Sequence, residues 1–205
     1  MRTLALLAAG LMALALASCQ KPVSGALPDD MTMGSPKAKV TMIEYASVAC
    51  PHCARWNDEV FPAFKAKYID TGRVRYVARE ALTGDPAIAA AGFLTARCAG
   101  KDKYFQVVDA IYRAQAQMET GGQPHAVLQT IALSAGLSDA QFEACIRDET
   151  ALKALEARWD RYVNEDKISG TPTFVINGKV YDKGEMPLPQ LEAAVAQAEA
   201  AGRPG

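Results

Sequence analysis

Cys50-Pro51-His52-Cys53 constrains the fold of this chain more than any other stretch. It follows the apolar run Val40-Thr41-Met42-Ile43-Glu44-Tyr45 and precedes a stretch of helical character from Ala54 to Tyr68. Two cysteines separated by two residues, where a strand hands over to a helix, are the layout of a dithiol–disulfide centre. A zinc site would need four ligands, and there is no second CxxC and no histidine besides His52 and His125. A purely structural bridge would close too short a loop to stabilise much.

The surrounding pattern fits a sheet wrapped around that handover. Lys39 to Ala46 reads as a buried strand of nearly continuous apolar character. The helix after it carries the stripe Trp56, Val60, Phe61 and Phe64, and Pro62 predicts a kink near Asp58. Thr71-Gly72 is a stop, and Arg73 to Arg79 alternates as a second strand with Val74, Tyr76 and Ala78 on one side. A helical block follows over about 85–166. Asp85-Pro86 opens it, Tyr104, Phe105, Val108, Ile111 and Tyr112 mark one helical face, and Ser138 with Gln141 forms a capping box. Its last long helix has Leu152, Leu155, Trp159, Tyr162 and Val163 as its apolar side. The sheet resumes at Thr173 to Ile176, turns at Asn177-Gly178, returns over Lys179 to Tyr181, and leads to a terminal helix from Leu188 to Ala201. The two strands joined by a helix should be parallel and the hairpin antiparallel. This order predicts an α/β chain: a thioredoxin arrangement with an inserted α-helical subdomain.

The start of the chain reads as an address. Met1-Arg2 is a short positive start and Leu4 to Ala17 is 14 apolar residues, suited to a secretory signal and short for a membrane span. Leu16-Ala17-Ser18-Cys19 resembles the lipobox of bacterial lipoproteins, which would make residues 1–18 a signal peptide and Cys19 the lipidated first residue of the mature chain. Cleavage after Ala15-Leu16-Ala17 also fits the small-residue rule. The cysteine count separates the two: there are five, and lipidation of Cys19 leaves four, enough for two pairs. Residues 19–38, rich in Pro, Gly, Ser and Asp, read as a flexible tether, with the folded domain over 39–201. The net charge of −1 gives no field for nucleic acid or an anionic membrane surface.

Taken together, Cys50-Pro51-His52-Cys53, Glu44 six residues upstream, the helical insert, and Thr171-Pro172 before a strand ending in Val-Ile-Asn-Gly-Lys resemble the DsbA family of bacterial periplasmic thiol oxidoreductases. The resemblance covers roughly Met33 to Ala201. It implies that Cys50 is the exposed nucleophile and Cys53 its buried partner. It implies that Pro172 is a cis-proline whose loop, with Thr171, faces the disulfide and lines a peptide-binding groove. Glu44 matches a buried glutamate that assists proton transfer at the buried cysteine. The chain departs from the family in having Thr171 where strong oxidases often carry valine. The implied partners are reduced or unfolded secreted proteins and a DsbB-like quinone-linked membrane oxidase, with no cofactor in the domain and a monomeric state. The implied location is the periplasm, held to a membrane by lipid. Gln20, in place of the aspartate of inner-membrane retention, leans this toward the outer membrane.

The chemistry follows from the motif's position. A free thiol titrates near 8.5, and a helix N-terminus lowers that by about one unit through its dipole. Deeper depression needs hydrogen bonds to sulfur, to which a charged His52 would add. Stabilising the Cys50 thiolate stabilises the reduced form, which makes the disulfide an oxidant. His52 as an exposed residue with no charge role, and Glu44 turned to solvent, are the bland alternatives. His125 reads as a surface residue at a helix start. In an oxidising compartment Cys98 and Cys145 are expected to bridge, closing a loop of about 47 residues for roughly 4 kcal/mol at most; two unpaired core cysteines are the alternative. The expected activity is donation of disulfides through Cys50-Cys53. An isomerase or reductase on the same fold, or a non-enzymatic peptide-binding chaperone, stays open at this point.

Overall fold

A computed structural model describes residues 25–202; the signal-peptide and Cys19 expectations lie outside the described residues. Five strands form one sheet in the order β1-β3-β2-β4-β5: β1 (Met31–Met33), β2 (Val40–Ala46), β3 (Val74–Glu80), β4 (Thr173–Ile176) and β5 (Lys179–Tyr181). β2 and β3 run parallel, β4 runs antiparallel to β2, and β5 closes the hairpin with Asn177 and Gly178 both at positive φ. Those two φ values are the requirement of a two-residue hairpin turn, which is why Asn-Gly was readable.

β2 is buried on both faces, as its unbroken apolar run requires. Val40 and Met42 join Trp56, Phe64, Ile69, Phe174 and Leu191 on one side. Ile43 and Tyr45 join Val77, Tyr162, Ile168 and Val175 on the other. The terminal helix α8 (Leu188–Ala201) covers the first side with Leu191, Ala194, Val195 and Ala198.

The tether expected up to residue 38 is corrected by β1, which pairs antiparallel with β3 through Met31↔Ala78 to Met33↔Tyr76. Met31 is buried, and the adjacent Asp30 accepts from Arg79 Nε at 3.3 Å. A three-residue strand is too short to display alternation, so its partner is what fixes it. The helix after the CxxC motif breaks instead of kinking. α1 (Pro51–Glu59) stops, Val60 intervenes, and α2 (Phe61–Phe64) runs into a π-helical turn, Lys65–Ile69. Pro62 has no N–H for the Asp58 carbonyl, which accounts for the break.

The helical subdomain comprises α3 (Pro86–Cys98), α4 (Tyr104–Glu119), α5 (Pro124–Ser134), α6 (Asp139–Ile146) and α7 (Glu149–Asn164). Asp85 caps α3 through Ala87 and Ile88 N–H, and Ser138 with Gln141 makes the full capping box of α6. The buried stripe of α4 is Tyr104, Val107, Ile111, Tyr112 and Gln115, rotated slightly from the face read in the sequence. On α7 only Leu155 and Tyr162 are buried, and Val163 is exposed. Cys98 and Cys145 are disulfide-bonded, joining the end of α3 to α6.

Candidate active site

β2 ends at Ala46, and the turn Ser47–Cys50 delivers Cys50 to the start of α1. Cys50 is the N-cap: its backbone is extended, its carbonyl accepts from Ala54 N–H at 3.1 Å, and Pro51 begins the helix. Its sulfur lies at the helix start, and the residue is only 7% exposed, buried where the family resemblance implied an exposed nucleophile. Here the unpaired N–H groups and the positive end of the dipole favour an anion.

The opposite wall is the Thr171-Pro172 peptide, which is cis, and Cys50 Sγ lies 3.5 Å from the Thr171 carbonyl oxygen, to which it donates only while protonated. Cys53 lies one turn into α1 and is fully buried; both cysteines are free thiols. The two sulfurs are driven apart in acidity. Cys50 is pulled down to about 5, first by the hydrogen bond from Cys53, against the opposing effect of burial. Further donors to it are the Thr171 side chain and the Cys53 and His52 backbones. Cys53 is pushed well above its ordinary value, chiefly by burial and then by its hydrogen bond to Cys50. One proton therefore sits on the inner sulfur, and the outer one carries the charge.

Glu44 sits on β2 behind the pair and is almost inaccessible, so it does not turn to solvent. Tyr76 Oη donates to its Oε2 at 2.6 Å. Burial pushes the carboxyl up to about 8; the Tyr76 bond works against this and the Cys50 charge adds to it. A buried carboxyl without a cation takes a proton at neutral pH and becomes a donor.

His52 is exposed, with Nδ1 at 2.7 Å from Glu185 Oε1. His125 is exposed too, beside Glu143 of α6, and makes no hydrogen bond to the residues of this site. Among the described residues, no group of three or more His, Cys, Asp or Glu side chains is placed to share a metal ion.

Several residues at the site carry no signal in the local sequence. Gln115 of α4 donates from Nε2 to the carbonyls of Val48 (2.6 Å) and Cys50 (3.3 Å), fixing the turn that presents Cys50. Thr83 accepts from Ser47 Oγ at its carbonyl, and its hydroxyl lies 2.6 Å from that of Thr171. If Thr83 donates, the Thr171 proton is left free for the Cys50 sulfur. Gly84 takes positive φ with its Cα close to the Ala49 carbonyl, where a Cβ would come within 2.4 Å. That loop must therefore carry glycine to lie against the CxxC turn. Tyr76, Arg55 and Glu185 complete the set. Their partners are remote in sequence, 133 residues in the case of His52 and Glu185.

A family model described as Thioredoxin matches residues 26–196. A protein of Rickettsia typhi with the provisional name protein-disulfide oxidoreductase is 32% identical over 151 residues, which are 73% of this chain and 55% of that protein. The chain thus spans just over half the length of this relative. The thiol:disulfide interchange protein DsbL of Escherichia coli O6:H1 is 27% identical over 164 residues, covering 72% of this chain and 73% of its own. Among solved structures, that of alpha-DsbA1 from Wolbachia pipientis superposes with a TM-score of 0.75 at 27% identity, covering 86% of this chain and 94% of its own.

Proposed function

The chain belongs to the thioredoxin superfamily as a DsbA-like member, and from that premise we propose that it exchanges disulfides with other proteins through Cys50 and Cys53. The observation that carries this is the split acidity of two sulfurs one helical turn apart, the outer one at a helix N-terminus facing a cis-proline loop. In the oxidised protein a client thiolate attacks Cys50 Sγ, the Cys50–Cys53 bond breaks, and Cys53 leaves as a thiolate. Its high proton affinity draws a proton, and Glu44, neutral at physiological pH, is the buried acid beside it. A second client thiolate then attacks the client sulfur of the mixed disulfide and expels Cys50 as a stable thiolate. Two electrons pass from client to protein. The free edge of the Thr171-Pro172 loop is where an extended client backbone docks.

The direction follows from the same asymmetry. A thiolate stabilised at Cys50 favours the reduced protein, so the disulfide is an oxidant. We assign the protein to the periplasmic face of the cell, carried there by residues 1–18 and held by lipid at Cys19, with a DsbB-like quinone-linked oxidase restoring the disulfide. Equilibration with glutathione tests the activity and its direction together. The wild type should hold a measurable dithiol–disulfide equilibrium poised toward the dithiol, and Cys50→Ala should lose it, while Cys53→Ala accumulates a mixed disulfide with a reduced two-cysteine peptide. A wild type that keeps its disulfide as tenaciously as a thioredoxin reverses the direction, and one that forms no mixed disulfide overturns the activity.

A further inference from the structure

The outer face of α1 carries a charge cluster that the exchange chemistry does not use. Glu185, on the segment between β5 and α8, accepts from Arg55 Nε at 3.0 and 3.1 Å and from Arg55 Nη2 at 2.7 Å. The same carboxylate lies 2.7 Å from His52 Nδ1, inside the CxxC motif itself. Its chain neighbour Met186 accepts from the buried Trp56 indole N–H at 2.9 Å, which fixes this segment against α1. Arg55 Nη2 also lies 2.7 Å from His52 Nδ1. One nitrogen cannot both accept from Arg55 and donate to Glu185, and the carboxylate favours the proton on Nδ1.

We propose that Glu185 is a positioning residue for the Cys50–Cys53 centre: it draws His52 and Arg55 into a neutralised surface cluster and makes the pair a milder oxidant than the motif alone would be. The inference rests on the exchange reading above. Two groups able to carry positive charge stand within the first two turns of a helix whose N-terminus holds a thiolate. Left uncompensated, they would favour that thiolate and the reduced form. Glu185 cancels part of that field and holds both side chains along the helix flank. Arg55 and Glu185 each titrate as mutually stabilised partners, and the Cys50 charge is among the influences on Arg55. The cluster is solvent-facing, with Arg55 48% and His52 64% exposed, so the effect is modest and fades with salt.

The test compares Glu185→Gln, Glu185→Asp and Glu185→Gln/Arg55→Gln with the wild type, reading thiolate absorbance against pH and the glutathione equilibrium at low and high salt. In Glu185→Gln the Cys50 titration should move to lower pH. The glutathione equilibrium should shift about two- to fivefold toward the reduced protein at low salt, and less at high salt. Glu185→Asp, which keeps the charge, should stay near the wild type, and the double variant should lose most of the shift. A Glu185→Gln protein that melts like the wild type and matches its titration and equilibrium overturns the proposal alone. A shift of equal size in both salts, or one unchanged by removing Arg55, also overturns it. A wild type with no glutathione equilibrium overturns the exchange reading and this proposal with it.

Discussion

Glu44 and Glu80 are the same side chain in nearly the same place, handled in opposite ways. They lie on the paired central strands β2 and β3, where Glu44 is opposite Ala78 and Glu80 is opposite Ala46. Both are almost inaccessible, at 3% and 2% exposure. Glu80 accepts from Arg97 Nε at 2.7 and 2.9 Å, from Arg158 Nη2 at 2.9 Å and from Tyr104 Oη at 3.0 Å. Glu44 accepts from Tyr76 Oη, and no cation is among the causes that set its acidity. Arg97 comes from α3 and Arg158 from α7, so the inserted helices bring countercharge to one carboxylate and leave the other without it. The difference separates two uses of a buried acid. One is an ion-paired joint between sheet and subdomain; the other is kept neutral, with a proton to give.

The largest effect that could break this comparison is at the joint. Glu80→Gln leaves two guanidinium groups, 24% and 14% exposed, around a neutral partner. Removing one member of a buried charge cluster costs about 3–5 kcal/mol, with the lower end fitting the partly exposed Arg97. Urea unfolding should show a loss of about 3 kcal/mol, while the Cys50 titration stays where it was. A loss below about 1 kcal/mol would mean that the two sites are not different in kind.

The two carboxylates were also unequally legible in the sequence. Glu44 stands out because it interrupts the apolar run of β2 six residues before Cys50, and its family position was readable. Glu80 ends an alternating strand and looks like an ordinary surface acid; its arginines lie 17 and 78 residues away. The same limit hid Gln115, Thr83 and Glu185. Turns, caps and the CxxC handover are written in adjacent residues, because backbone conformation is local. Salt-bridge partners and site-lining side chains are chosen by the packing of distant elements, which leaves no period to detect. The strand β1 belongs with them, since Met31–Met33 is a strand only because β3 offers its edge.

The second test sharpens the neutral half of the comparison through pH. A carboxyl raised to about 8 in the native state and near its ordinary 4.5 when unfolded binds more protons folded than unfolded between those values. Its contribution is therefore fully present below about 4.5 and is lost as pH rises through about 8, at up to roughly 1.4 kcal/mol per pH unit. Cys50 has the opposite sign: depressed to about 5, its thiolate contributes above the ordinary value of 9.0 and is lost as pH falls through about 5. In the reduced protein the two slopes oppose each other over most of pH 5–8. In the oxidised protein the thiols cannot titrate, and the Glu44 slope stands alone. Its upper limit then lies somewhat below 8, because the Cys50 charge is gone. Denaturation across this range should show oxidised wild type losing stability with rising pH, reduced wild type nearly level, and oxidised Glu44→Gln level. Client oxidation by Glu44→Gln should slow by about tenfold or more if the carboxyl supplies the Cys53 proton. A sloping oxidised Glu44→Gln would assign the dependence to another group.

The smallest expected effect isolates the one side-chain donor that Glu44 has among the described residues. Tyr76→Phe removes the 2.6 Å hydrogen bond while keeping the ring packed against Phe61 and Phe105. That bond favours the ionised carboxylate, so its loss should carry the Glu44 titration further up and push the upper edge of the oxidised protein's stability slope to higher pH. At neutral pH the cost should be only about 1 kcal/mol, because the acceptor left without its donor is an oxygen of a neutral carboxyl and forfeits less than a stranded carboxylate would. Infrared absorption of the protonated carboxyl, followed against pH in wild type and Tyr76→Phe, reads this directly. Movement of the midpoint to lower pH would mean that the tyrosine, by burial, holds Glu44 neutral instead of helping it ionise, and the contrast with the arginine-bound Glu80 would then rest on shielding alone.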